Sequence, residues 1–78
     1  MTKSPLKNIP IKTFREFLRW EGLDYVRTNG GHEIWNKKRL FRPVVFQTHI
    51  DPVPEKVVRQ ILKAIGSSAE SYIEFLQS

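Results

Sequence analysis

Two adjacent glycines, Gly30 and Gly31, stand between two runs of strand-forming residues and constrain the fold of this chain more than any other feature. Glycine adopts positive φ readily, and a tight β-hairpin turn requires such angles. The flanking runs, residues 25–28 and 32–36, have the composition of short strands. The sequence therefore predicts an antiparallel hairpin that turns at residues 29–31.

A helical pattern precedes the hairpin, and a further strand follows it. Apolar residues at helical spacing predict a first helix over about residues 11–21, with Pro10 in its first turn. Gly22 is a plausible C-terminal stop, and Leu23 can fold back onto the helix as its hydrophobic partner. A third strand is predicted over residues 44–49.

The second half of the chain is predicted to be helical. A second helix starts either after Asp51 as its cap or at Pro54, and it ends at Gly66. Ser67 and Glu70 have the spacing of a capping box, which predicts a short third helix after them.

The order of the elements is α-β-β-β-α with a short extra C-terminal helix. Strands grouped between helices favour an α+β fold, with the helices on one face of a three-stranded antiparallel sheet. Double-stranded-RNA-binding domains have this architecture. The 78 residues suffice for one domain, which we place at residues 9–78. Residues 1–8 contain few apolar side chains and are expected to form a flexible N-terminal arm.

The charge and composition indicate a partner class and a compartment. The chain has 13 Lys and Arg against 8 Asp and Glu, a net charge of +5, which favours a polyanionic partner such as RNA. It has no cysteine, no signal-peptide pattern and no apolar run of membrane-spanning length. We therefore expect a cytoplasmic protein that does not contact a membrane.

His32 follows the double glycine directly and is the candidate catalytic residue. A histidine presented at a turn can act as a general acid or base, for example on the 2′-hydroxyl or the departing 5′-oxygen of RNA. The alternative is an exposed strand residue with no catalytic role. Glu33 is not expected to assist His32, because adjacent strand residues point to opposite faces.

His49, at the end of the third strand, is a possible auxiliary residue. It is either a second acid–base or phosphate-binding group beside His32, or a polar residue that bonds the turn after the strand. Two separated histidines without cysteine lack metal-ligand spacing, so no metal site and no cofactor are expected.

Two clusters of basic residues are candidate contacts for backbone phosphates, although each could equally be an ordinary solvated surface. The first cluster lies on one stripe of the second helix and consists of Lys56, Arg59 and Lys63. The second cluster follows the second strand and consists of Lys37, Lys38, Arg39 and Arg42.

Trp35 and Phe41 are ambiguous aromatic residues. Exposed on the open sheet face or on a loop, either ring could stack on an unpaired base. The alternative for a tryptophan in so short a chain is a place in the core.

Several segments in order resemble the HicA, or YcfA-like, family of mRNA-interferase toxins, and together they span about residues 9–77. Residues 14–23 are similar to its first helix with a terminal glycine. Residues 27–35, Arg-Thr-Asn-Gly-Gly-His-Glu-Ile-Trp, resemble its Gly-Ser-His turn and aromatic strand. Residues 58–66, Val-Arg-Gln-Ile-Leu-Lys-Ala-Ile-Gly, resemble its last main helix.

The resemblance implies a fold like that of double-stranded-RNA-binding domains and metal-independent cleavage of mRNA, neutralised by a HicB-type antitoxin. It places the catalytic histidine at His32 and the family glycine at Gly30, and we expect Gly30 and Gly31 to let the RNA backbone approach. Gly31 stands where the family usually has serine, and Glu33 where a second histidine often follows. The alternatives are a non-catalytic RNA-binding module and a domain whose basic face binds only an acidic protein.

Overall fold

The computed structural model describes residues 4–78. The elements are α1 (Ile11–Trp20), β1 (Asp24–Asn29), β2 (His32–Asn36), β3 (Val44–Gln47), α2 (Glu55–Ala64) and α3 (Ala69–Leu76). The predicted α+β fold with a C-terminal helix is confirmed. The third strand ends at Gln47, so His49 lies beyond the strand, whereas the sequence pattern placed it at the strand's last residue.

The sheet is open and antiparallel, with the strand order β1-β2-β3. Its central strand alternates: Glu33 and Trp35 are buried under the helices, while His32 and Asn36 are exposed on the other face. This alternation follows from the two-residue period of a strand and leaves one sheet face open.

The core lies between the helices and the covered sheet face. Phe14 of α1 packs edge-on against Phe46 of β3 with ring centroids 5.3 Å apart, and Phe17 packs against Tyr72 of α3 at 5.2 Å. Full burial of one such ring contributes about 1.5–3 kcal/mol. These contacts hold α1 and α3 on the sheet face opposite His32.

The predicted end of α1 at Gly22 is confirmed. Gly22 has φ +92°, and its N–H donates to the carbonyl of Arg19 at 2.9 Å. The N–H of Leu23 donates to the carbonyl of Leu18, also at 2.9 Å, and Leu23 is buried. This pair of bonds is a Schellman motif, which requires the left-handed conformation that glycine adopts most easily.

Asp51 binds the start of α1 and does not cap α2. Of the two starts left open for α2, the structure has the later one, with Pro54 as N-cap residue. Asp51 Oδ1 instead accepts a hydrogen bond of 3.0 Å from the N–H of Ile11, at the start of α1. The first N–H groups of a helix have no partner within it, so this carboxylate satisfies one of them.

The capping box predicted at Ser67 and Glu70 is wrong. Ser68 is the N-cap of α3, and its Oγ accepts from the N–H of Ser71 at 3.3 Å. The hydroxyl of Ser67 donates to the carboxylate of Glu21 at the end of α1. Ser67 therefore bonds to Glu21, a residue distant in sequence, and does not cap α3 as the spacing predicted.

The N-terminal segment differs from the arm expected over residues 1–8, of which 1–3 lie outside the described residues. Leu6 is only 1% exposed and belongs to the core. Just after it, Ile9 forms an antiparallel bridge with Val53, whose N–H donates to the Ile9 carbonyl at 2.9 Å. Burial of Leu6 and Ile9, together with this backbone bridge, holds the segment on the domain.

Candidate functional site

The turn between β1 and β2 presents His32. Gly30 and Gly31 have φ of +58° and +84°, the pair of positive angles that a type I′ turn requires, and Asn29 pairs with His32 across it. His32 is the first residue of β2 and is exposed on the open face of the sheet. The sequence therefore predicted the position of this side chain correctly.

His49 lies against the same turn. A Cβ built on Gly31 would stand 3.2 Å from His49 Cε1 and 3.3 Å from His49 Nδ1. The backbone fixes this approach, because the N–H of Thr48 donates to the Gly31 carbonyl at 2.8 Å. The structure thus brings the second histidine to the residue that directly precedes His32.

Two amide side chains flank His32, and the sequence analysis did not identify them. Asn29 on β1 and Gln47 on β3 are the residues directly opposite His32 in the two strand pairs. Residues paired in this way lie on the same face with their Cβ atoms about 4.5–5.5 Å apart. The strand register alone reveals this group, and the register between β2 and β3 could not be read from the sequence.

Glu33 takes no part in this group, as expected. Its carboxylate lies on the covered face, where Arg15 binds it through two nitrogens, with Nε 2.8 Å from Oε2, and Trp35 Nε1 donates to it at 3.0 Å. Burial by itself would raise the pKa of Glu33, but the hydrogen bonds from Arg15 and Trp35 outweigh it and lower that pKa. The carboxylate is therefore a structural anion between α1 and β2.

Of the two roles left open for Trp35, base stacking and a place in the core, the structure has the core, so the possible auxiliary role is wrong. Its side chain is 0% exposed. The indole N–H is bonded to Glu33, and the guanidinium of Arg19 lies 5.1 Å from the ring centroid. Trp35 is two residues after Glu33 on β2, so both side chains point to the covered face of the sheet, and the ring belongs to the core.

The basic loop after β2 lies away from His32. Lys38 and Arg39 are exposed, whereas Lys37 is half-buried and its Nζ donates to the carbonyl of Glu21 at 3.1 Å. The loop begins after Asn36, at the opposite end of β2 from His32. Four strand steps separate these ends by about 13 Å. This cluster therefore lies away from the glycine turn beside which His32 and His49 lie.

The basic residues of α2, Lys56, Arg59 and Lys63, are all exposed, as predicted. Arg59 is paired with Glu55 at 2.7 Å and donates to the hydroxyl of Ser4 at 3.1 Å. Because α2 packs on the covered side of the sheet and these side chains point outward, the structure does not bring them beside His32.

Within residues 4–78, no three His, Asp or Glu side chains form a group that could hold a metal ion. None of the helices described above has the length and apolar character needed to cross a membrane.

Comparisons with known proteins give no match. No protein-family model matches the chain. No curated protein and no solved structure matches it either. The resemblance to the HicA family therefore rests on this chain's own residues, and the activity that it implies is a proposal.

Proposed function

We propose that this protein is a metal-independent endoribonuclease of the toxin type, acting on mRNA with histidine acid–base chemistry. The observation that carries the proposal is the approach of His49 to Gly31, the residue that precedes His32 in the chain. Two imidazoles at one exposed glycine turn provide both proton-transfer groups that RNA cleavage needs.

The proposed reaction is an internal transfer at the phosphate. One imidazole removes the proton from the 2′-hydroxyl, whose oxygen attacks the adjacent phosphorus. The bond from phosphorus to the 5′-oxygen breaks, and the other imidazole donates a proton to that oxygen. The products are a 2′,3′-cyclic phosphate and a 5′-hydroxyl end. A positioned acid or base contributes typically about 10²–10⁴-fold to such a step.

The residues around the histidines suit an RNA backbone. Gly30 and Gly31 carry no side chain to keep a phosphate away from the turn. Asn29 and Gln47 flank His32 and can donate amide N–H bonds to phosphate oxygens. The net charge of +5 favours association with the polyanion.

The resemblance to HicA also suggests a partner and a compartment. We propose that a HicB-type antitoxin neutralises the enzyme in the cytoplasm. An acidic protein would be steered to the basic surface and could cover the open face that carries His32.

Cleavage of RNA by the purified protein in the presence of a chelator tests the proposal. We expect His32→Ala to abolish cleavage and His49→Ala to reduce it. Asn36→Ala is the matched control, because Asn36 is exposed on the same face at the other end of β2. Cleavage that persists in a folded His32→Ala protein, or that the chelator stops, would overturn the mechanism.

A non-catalytic RNA-binding module is the second candidate function. The observation that favours it is the basic loop at 37–42 with its exposed phenylalanine, which offers a binding surface remote from either histidine. Tight RNA binding without any cleavage by the wild-type protein would identify this alternative.

A further inference from the structure

Phe41 is the most exposed large apolar side chain among the described residues, with 94% of its surface accessible. Its neighbour Leu40 is partly buried and packs against the core. A turn closed by the bond from the Leu40 N–H to the Lys37 carbonyl at 3.2 Å, with Arg39 at φ +72°, precedes the phenylalanine. The loop is therefore anchored through one apolar side chain while it projects the next into solvent.

The surroundings of Phe41 are cationic. Lys38 and Arg39 precede it and are exposed, and the guanidinium carbon of Arg42 lies 5.7 Å from its ring centroid. Proteins that bind single-stranded nucleic acids combine cations for the backbone with exposed aromatic rings on which bases stack. Phe41 and its basic neighbours have both parts of this arrangement.

We propose that Phe41 is a stacking platform for an unpaired RNA base, with Lys38, Arg39 and Arg42 holding the adjacent phosphates. The proposal rests on the proposed function, since it assumes an RNA ligand. The loop starts about 13 Å along β2 from His32, so the stacked base is not the nucleotide that is cleaved. This subsite selects single-stranded substrate and sets its affinity.

An acidic protein partner is the competing occupant of this loop. A protein pocket would bury the phenylalanine for its apolar surface, and a leucine of similar size would keep most of that contribution. Stacking on a base instead requires a flat ring. Leucine and tryptophan replacements therefore separate the two occupants.

The test measures binding to a fluorescein-labelled single-stranded 2′-O-methyl RNA, which cannot be cleaved because it has no 2′-hydroxyl proton. We expect Phe41→Leu to weaken binding by about 5- to 100-fold and Phe41→Trp to preserve it. The slope of affinity against salt should stay the same, because no phosphate contact is lost. Ile73→Leu on α3 is the control, an exposed apolar residue outside the loop.

The outcomes separate this proposal from the proposed function. Equal affinities of the wild-type and Phe41→Leu proteins for this RNA, with cleavage of natural RNA intact, would overturn the stacking role alone. No RNA binding by the wild-type protein would overturn both. We also expect the wild-type and Phe41→Leu proteins to bind duplex RNA of the same sequence equally well, because paired bases offer no free face to the ring.

Discussion

The imidazole of His49 occupies the space that a side chain on Gly31 would need, with Cε1 3.2 Å from the Cβ position. The glycine and the histidine are therefore coupled, and a larger residue at the turn must displace the ring.

Gly31→Ala should lower both stability and cleavage. Its φ of +84° strains any residue with a Cβ by about 1–2 kcal/mol, and the new methyl group moves His49. Gly30→Ala is the matched control, because Gly30 has φ +58° but, its two chain neighbours aside, no residue approaches its Cβ position within 4 Å. Urea unfolding and cleavage rates of the two variants check this. A Gly31→Ala protein that cleaves as fast as Gly30→Ala would show that the ring position is immaterial.

Arg15→Ala should destabilise the domain by about 1–3 kcal/mol, since it leaves the buried Glu33 carboxylate without its charged partner. The loss is smaller than for a fully buried pair because the Arg15 side chain is 34% exposed. Arg59→Ala, which breaks the exposed surface pair with Glu55, should cost less than Arg15→Ala, because solvent screens that pair. Urea unfolding at neutral pH measures both, and equal losses would contradict the structural role of Glu33.

The contribution of Glu33 should depend on pH. Its pKa is lowered in the folded state, so the ionised carboxylate stabilises the fold above its unfolded pKa of about 4.3. This stabilisation is lost as the pH falls through the lower folded value. The stability difference between the wild-type protein and Glu33→Gln should therefore be constant near neutral pH and shrink below about pH 4. A difference that does not change across this range would refute the assignment.

The salt dependence of RNA binding should report which basic cluster contacts phosphates. If about four phosphates on single-stranded RNA are neutralised, log K falls with log[salt] at a slope near −3. Replacing Lys38 and Arg39 by alanine should flatten this slope by about 1.4. The matched double variant replaces Lys56 and Lys63 on α2 by alanine and removes the same charge from the other basic cluster. If only that variant has a flatter slope, the phosphates are contacted by α2 and not by the loop.

The sequence predicted what depends on neighbours along the chain. The helical stop at Gly22, the hairpin at Gly30 and Gly31, and the exposed position of His32 all follow from local φ preferences and from a strict two-residue period. The open face of the sheet was predictable for the same reason.

The remaining features depend on partners that are distant in sequence. Asp51 binds the start of α1, and Ser67 turns away from its own helix toward Glu21. The approach of His49 to Gly31 depends on the register between β2 and β3, which the intervening loop sets. The burial of Leu6 was not predicted, because a single apolar residue in a polar segment gives no periodic pattern.

The segment that carries His49 is held from two sides. Thr48 is bonded to Gly31, while Asp51 and Val53 are bonded to Ile11 and Ile9 at the start of α1. The position of His49 against Gly31 therefore depends on both the hairpin and the N-terminal segment. A fragment that lacks either part loses hydrogen bonds that hold this segment, so a change near the N-terminus of the domain is expected to shift the His49 ring.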